Sequence, residues 1–235
     1  MAIYRQCTSA MALCAVLCAF SLPALAQNEG FESGDFSSWS TIGNAAVVTT
    51  TNTATGSTVS AAEGSKFALI TAGSARAGAI EEFLDLSNGS LSNIFTRRGS
   101  AIKRTIVANA GDTVSFSYNF LGFDFFPFND YGFVSLSPVS GPRILGSIIS
   151  VGNFGNSGWK QYSYTFADAG TYTLGVGVFN ILDNSQPFSS KIAIDSVTVT
   201  PEPGEYAFAA FAGASVLGLV ARARRRGKSG TASSA

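Results

Sequence analysis

Two pairs of acidic residues in this chain could carry general acid and base chemistry. Glu81 and Glu82 are adjacent, and Asp124 and Asp130 lie six residues apart. Glycoside hydrolysis uses two carboxyl groups, and their separation in space, roughly 5 to 9.5 Å, decides the mechanism. Nothing in the sequence fixes that separation for either pair, so this criterion does not identify a catalytic pair. We predict that the protein is not an enzyme and has no catalytic residues.

The second pair lies in a stretch rich in aromatic rings, Gly122 to Tyr131, which also contains Asn129. One interpretation is a ligand-binding loop, in which exposed Phe and Tyr rings stack on sugar faces while Asp124, Asn129 and Asp130 bind hydroxyl groups. The other interpretation places the rings in the core and uses the acids to complete a turn. The sequence favours the second interpretation.

The chain of 235 residues contains no histidine. This absence removes the usual general base, the imidazole of nucleophilic triads and the commonest ligand of transition metals. The absence of histidine therefore argues strongly against a serine hydrolase or a zinc hydrolase. The three cysteines all lie within the first 18 residues, so a chain that loses this segment holds no disulfide and no thiolate metal site.

The N-terminus has the three parts of a secretory signal peptide. Arg5 supplies a positive charge, an apolar core follows from Ala10 to Phe20, and Ala24 and Ala26 form a small-x-small cleavage site. We predict that residues 1–26 are removed by signal peptidase and that the mature chain begins at Gln27.

The C-terminus, residues 201–235, combines three segments in a fixed order. Pro201, Glu202 and Pro203 form an extended, exposed motif, since proline fixes φ and removes a backbone donor. Residues 206–221 carry no charge and no proline, and as a helix they reach roughly 24 Å, slightly less than the ~30 Å of a hydrocarbon core. A basic cluster then places this end in the cytoplasm by the positive-inside rule: Arg222, Arg224, Arg225 and Arg226.

This order of segments resembles the PEP-CTERM sorting signal of Gram-negative bacteria. The resemblance implies an exosortase as the processing partner, cleavage at or near Pro201-Glu202-Pro203, and a single transmembrane helix that holds the protein only transiently in the inner membrane. It also implies a destination on the cell surface or in the extracellular polysaccharide matrix. The alternative is a plain membrane-anchored periplasmic protein, with the helix kept.

Residues 27–200 form one predicted domain. Between Gln27 and Pro203 the chain has 14 acidic and 9 basic residues, a net charge of −5, which disfavours nucleic acid as a partner. Short runs rich in Val, Ile, Phe, Tyr and Thr alternate apolar and polar residues and are separated by turn signals. They predict an all-β, antiparallel sandwich of eight to ten strands, with strands at residues 66–71, 103–108, 113–121, 131–137, 159–166, 171–179 and 191–200.

The two ends of this domain resemble jelly-roll, galactose-binding-like domains, a group with many carbohydrate-binding modules. The matching segments are Asn28 to Trp39 and the closing run Asp195 to Val199. The resemblance implies a jelly-roll sandwich with a structural Ca²⁺ held by Glu32, Asp195 and carbonyl groups from 64–66. The alternative gives Glu32 a role in capping a turn and leaves Asp195 as a solvated strand residue.

These observations predict an exported surface or matrix protein, sorted by an exosortase and structural or adhesive in a biofilm. A carbohydrate-binding module for the exopolysaccharide is the alternative function. No cofactor is expected apart from the structural Ca²⁺ that the jelly-roll resemblance implies.

Overall fold

The structure is a computed structural model that describes residues 27–91, 96–183 and 186–202. Most of the sequence-predicted sorting machinery lies outside these ranges: the signal peptide with Ala24 and Ala26, Pro203, the apolar segment 206–221, and Arg222, Arg224, Arg225 and Arg226. Within the described ranges, no helix is both long and apolar enough to cross a membrane.

The described chain is an all-β, antiparallel sandwich, as the alternating runs predict. Its strands are β1 Gln27–Glu29, β2 Ser40–Ile42, β3 Asn44–Val48, β4 Thr50–Asn52, β5 Thr58–Ser60, β6 Phe67–Thr71, β7 Ala75–Arg76, β8 Thr96–Ala108, β9 Thr113–Leu121, β10 Tyr131–Ser137, β11 Ser140–Ser147, β12 Lys160–Thr165, β13 Gly170–Ile181 and β14 Lys191–Thr200. Two short helices, α1 Ala77–Phe83 and α2 Ile148–Val151, and a 3-10 turn at Gln186–Phe188 join them.

Two large sheets form the layers of the sandwich. The first has the order β12-β9-β14-β6-β3, and β1 also pairs with β14, so that the first and last described strands are neighbours. The second has the order β11-β10-β13-β8-β2, and β7 also pairs with β8. Strands β4 and β5 form a separate hairpin.

The main core fills the space between the two sheets. Alternation along β9 points Val114, Phe116 and Phe120 inward, and β13 contributes Leu174, Val176 and Val178 in the same way. The Phe116 ring lies 5.0 Å from that of Tyr162 on the neighbouring strand. Burial of these side chains provides the main driving force for folding of a domain without disulfides.

A smaller apolar cluster includes α1 and its surroundings. Ile80, Leu84, Phe133 and Phe179 are fully buried there. Gly177 leaves room for the Phe133 ring, since a Cβ atom at this position would lie 2.7 Å from it. The carboxylate of Glu81 is buried in this region and accepts the N–H groups of Gly89 and Leu91. Glu82 is exposed, so the two adjacent acids lie in different environments, one in the core and one at the surface.

Candidate functional site

The aromatic loop, residues 122–130, connects β9 to β10 at one end of the sandwich. Its root is tied to the segment 152–156, because Gly122 N–H donates to the Gly155 carbonyl at 2.8 Å and Phe154 N–H donates to the Asp124 carbonyl at 2.9 Å. Phe123 N–H donates to Ser190 Oγ at 3.1 Å, which links the loop to the start of β14. No pattern in the sequence predicts that these three segments meet.

The rings of this loop form a cluster at the surface. Phe126 is 71% exposed and Phe125 is 36% exposed. Phe125 lies 5.4 Å from the Phe128 ring, 5.7 Å from Phe154 and 6.1 Å from Phe188. The interpretation that placed the loop's rings in the core is therefore wrong for Phe125 and Phe126.

The two acids of the loop point inward. Asp130 is fully buried, and its Oδ1 accepts Ile181 N–H at 2.9 Å while its Oδ2 accepts Ser190 O–H at 2.7 Å. Asp124 is also buried, with Oδ1 accepting Phe125 N–H at 2.8 Å. Burial raises the pKa of Asp130 to about 7 and raises the pKa of Asp124 as well. Neither carboxyl group faces the surface where a ligand would bind.

A cleft of about 560 Å³ lies beside the loop. It is lined by Pro127, Asn129, Tyr131, Ile144 and Leu182, among others. Asn129 uses its Oδ1 to accept Ile149 N–H, so its amide NH₂ group is the part that remains for a ligand. Of the three sequence-predicted ligand residues, the structure thus places Asn129 at the cleft, whereas Asp124 and Asp130 are buried and do not line it.

Glu32 and Asp195 meet at one turn, residues 61–66. Asp195 Oδ2 accepts Ala62 N–H at 2.8 Å and Glu63 N–H at 2.9 Å, and its Oδ1 accepts Ser196 N–H at 2.7 Å. Glu32 Oε1 accepts the N–H groups of Ser65 and Lys66, both at 2.9 Å. Asp195 is fully buried, so it is not a solvated strand residue.

The electrostatics of this pair follow from their surroundings. Burial raises the pKa of Asp195, and the negative charge of Glu32 adds to this effect. Hydrogen bonds from the Lys66 and Ser65 backbone lower the pKa of Glu32, which is at the surface. A second cleft, of about 460 Å³, is lined by Glu32, Asp35, Trp39 and Glu63, among others.

The hydrogen bonds of Glu32 and Asp195 suit a role in holding the turn 61–66 in place better than a role in binding Ca²⁺. Two carboxylates from distant segments suit a hard cation chemically. However, each carboxylate oxygen of Glu32 and Asp195 already accepts an N–H or O–H group. In the ranges that the structure describes, no three His, Cys, Asp or Glu side chains come together as metal ligands. Calcium at this turn stays a prediction.

Comparison with known proteins gives only weak similarities. No family model and no curated protein matches the chain. Among solved structures, it is similar to TmCBM61 in complex with β-1,4-galactotriose (16% identity, TM-score 0.44, 74% of this chain and 94% of that one). It is also similar to the K3 cleaved adhesin domain of Lys-gingipain from Porphyromonas gingivalis (15% identity, TM-score 0.39, 77% of this chain and 99% of that one). A third similar structure is the CBM22-1 xylan-binding domain of Paenibacillus barcinonensis Xyn10C (9% identity, TM-score 0.36, 74% of this chain and 92% of that one). Similarities this weak carry no conclusion about ligand or function.

Proposed function

We propose that residues 27–200 form a noncatalytic, jelly-roll carbohydrate-binding domain whose ligand site is the cleft beside the aromatic loop. The observation that carries the proposal is the exposure of Phe125 and Phe126, which come directly before Pro127 in the chain, and Pro127 lines the cleft together with Asn129 and Tyr131. Exposed rings stack on the apolar faces of sugars, and a few fixed polar groups select hydroxyl positions.

The same geometry argues against hydrolysis at this site. A glycosidase needs two carboxyl groups that reach the scissile bond. Asp124 and Asp130 are buried and bind the protein's own backbone and Ser190. Binding without cleavage is therefore the activity that these residues support.

Replacing Phe126 with alanine is expected to weaken binding to the producing bacterium's own exopolysaccharide about tenfold, because loss of one stacking ring that contacts the ligand costs about 1.4 kcal/mol. Retardation in gels that contain the polysaccharide measures the affinity. Phe126 is exposed, so its loss should leave the fold intact, as thermal unfolding would show.

Val107→Ala is the matched control. Val107 is 78% exposed and pairs with Thr171, whereas Tyr131, at the end of the aromatic loop, pairs with Phe179. Eight residues of β13 separate the two positions, roughly 26 Å at ~3.3 Å per residue. Equal retardation of the wild type and both variants would contradict the cleft as the site. Absence of binding by the wild type would favour the structural or adhesive role instead.

We also propose that the domain is exported and then sorted by an exosortase. The proposal is supported by the order of segments at the C-terminus and by the position of the motif: β14 ends at Thr200, directly before Pro201. Pro201 is buried, contrary to the expectation of a fully exposed motif, while Glu202 is exposed and its N–H donates to Asp112 Oδ1 at 3.3 Å. The expected cleavage site therefore lies at or after Glu202.

Intact mass and cell fractionation, with and without the exosortase, test the sorting proposal. We expect the mature protein to lack residues 1–26 and the arginine cluster, and the exosortase mutant to keep that cluster at the inner membrane. A wild-type protein that keeps its arginines would be a plain membrane-anchored periplasmic protein.

A further inference from the structure

Three buried oxygen atoms beneath the aromatic loop have no hydrogen-bond partner among the described residues. They are Asp124 Oδ2, Asn180 Oδ1 and Asp183 Oδ1. Asp124 is 1% exposed and Asn180 is fully buried. Buried polar atoms are nearly always paired, so three unpaired acceptors at one end of a sandwich require an explanation.

Hydrogen bonds connect the segments that carry these oxygens. Ser190 Oγ accepts Phe123 N–H and donates to Asp130 Oδ2, and Asp130 Oδ1 accepts Ile181 N–H. Asn180 Nδ2 donates to Ser189 Oγ at 3.2 Å, which leaves its Oδ1 as the unpaired end of the amide. Hydrogen bonds therefore join three segments: the aromatic loop, the end of β13 and the residues just before β14.

Asp183 lies two residues after Ile181, whose N–H donates to Asp130 Oδ1, so the chain itself places Asp183 in the same region. Its negative charge contributes to the raised pKa of Asp124, and the charge of Asp124 contributes to the raised pKa of Asp130. Two cationic side chains contact residues that neighbour these acids: Arg97 Nε donates to the Leu182 carbonyl at 2.9 Å, and the Lys191 ammonium lies 4.3 Å from the centre of the Phe123 ring.

All three unpaired atoms are acceptors, so they cannot satisfy one another. A proton on one carboxyl group can pair two of these oxygens, but a cation can be shared by all three, and burial of uncompensated carboxylates is strongly unfavourable. The contrast with Glu32 and Asp195 is direct, since the oxygens of those two residues are already filled by N–H and O–H donors.

We propose that a divalent cation of the Ca²⁺ class binds between Asp124, Asn180 and Asp183, beneath the aromatic loop. Carboxylate and amide oxygens are the ligands that Ca²⁺ prefers, and Ca²⁺ accepts irregular geometry more readily than Mg²⁺. Because Asp124 begins the aromatic loop and its carbonyl accepts Phe154 N–H, the cation would fix the root of that loop. This proposal is independent of whether the cleft binds a sugar.

Calorimetric titration of the chelator-treated full chain with CaCl₂, with MgCl₂ in parallel, tests the site. We expect Ca²⁺ to bind and to raise Tm, and Asp124→Asn to weaken binding at least tenfold without a change of side-chain shape. Asp85→Asn removes the same charge from an exposed acid and should bind like the wild type. Glu32→Gln should also keep the site, because its carboxylate belongs to the other turn.

Asn180→Asp provides a second variant in case Asp124→Asn does not fold. It adds a charged ligand at the same position, so we expect Ca²⁺ to bind it at least as tightly as the wild type. The proposal is overturned if the wild type binds no Ca²⁺, or if Glu32→Gln abolishes binding while Asp124→Asn retains it. The proposal is also overturned if neither protein binds Ca²⁺ and Asp124→Asn is more stable than the wild type in the presence of chelator. A proton or a water molecule would then be the partner of these oxygens.

Discussion

Replacing Asp195 with alanine is expected to lower the free energy of unfolding by about 3 kcal/mol. The side chain is fully buried and accepts three backbone N–H groups, two of them from the turn 61–66. Hydrogen bonds to a charged acceptor contribute about 1.5 to 3 kcal/mol each, and donors left unpaired by the substitution add a desolvation cost. Removing the side chain also removes the cost of burying its charge, so the net loss of stability is well below the sum of the three hydrogen-bond contributions and the desolvation cost. Urea unfolding at pH 7, followed by tryptophan fluorescence, measures the change.

Asp195→Asn and Glu32→Gln are the matched controls for this substitution. Asparagine keeps one acceptor oxygen and should give an intermediate loss. Glu32 is exposed, so its replacement should have a smaller effect than that of Asp195. A loss below about 1 kcal/mol for Asp195→Ala would show that the turn does not depend on this anchor. A loss that appears only when Ca²⁺ is present would instead favour the predicted calcium at Glu32 and Asp195.

The free energy of unfolding, measured in the presence of chelator, is expected to fall as the pH rises from about 4 to about 7, because Asp130 loses its proton over this range. Burial raises its folded-state pKa to about 7, above the value of ~3.9 for an unfolded aspartate. The folded state therefore binds the proton more tightly. The stabilisation is fully present below the unfolded pKa and is lost as the pH rises through the folded pKa. A difference of about three pKa units sets an upper bound of about 4 kcal/mol.

Asp130→Asn isolates this contribution. The asparagine oxygen can still accept Ile181 N–H, and its NH₂ group can donate to Ser190 Oγ, but it does not titrate. We expect the variant to be more stable than the wild type at pH 8 and to show a flatter dependence on pH. Parallel pH profiles of unfolding for the two proteins would exclude Asp130 as the titrating group. Chelator is present throughout, so that a bound cation does not neutralise the carboxylates.

The strands that the sequence predicted well are those with long, regular alternation. The bounds predicted for 113–121, 131–137 and 191–200 match β9, β10 and β14, because one face of each strand packs on the core and the side-chain period of 2 is visible in the sequence. β11 was not predicted, since Gly141, Pro142 and Gly146 interrupt its pattern at the edge of its sheet. α1 has seven residues, too few for a helical period to be recognised.

Composition alone determined which chemistry this protein lacks. Without histidine, and with cysteines only near the N-terminus, imidazole and thiolate chemistry are absent from the predicted mature domain whatever its fold. The alternation of apolar and polar residues likewise indicated the all-β class from the sequence alone, since each strand shows the period of 2 within its own few residues.

The direction in which each side chain of the candidate site points was decided only by the tertiary structure. Asp124 and Phe126 are two residues apart, yet the first is buried and the second is the more exposed of the loop's two outer rings. Asp124 and Asn180 are 56 positions apart in the sequence, yet Asp124 follows Phe123, whose N–H donates to Ser190 Oγ, and Asn180 donates to the adjacent Ser189 Oγ. Burial and unpaired oxygens are properties of packing between distant segments, and a local sequence pattern does not specify which segments pack together.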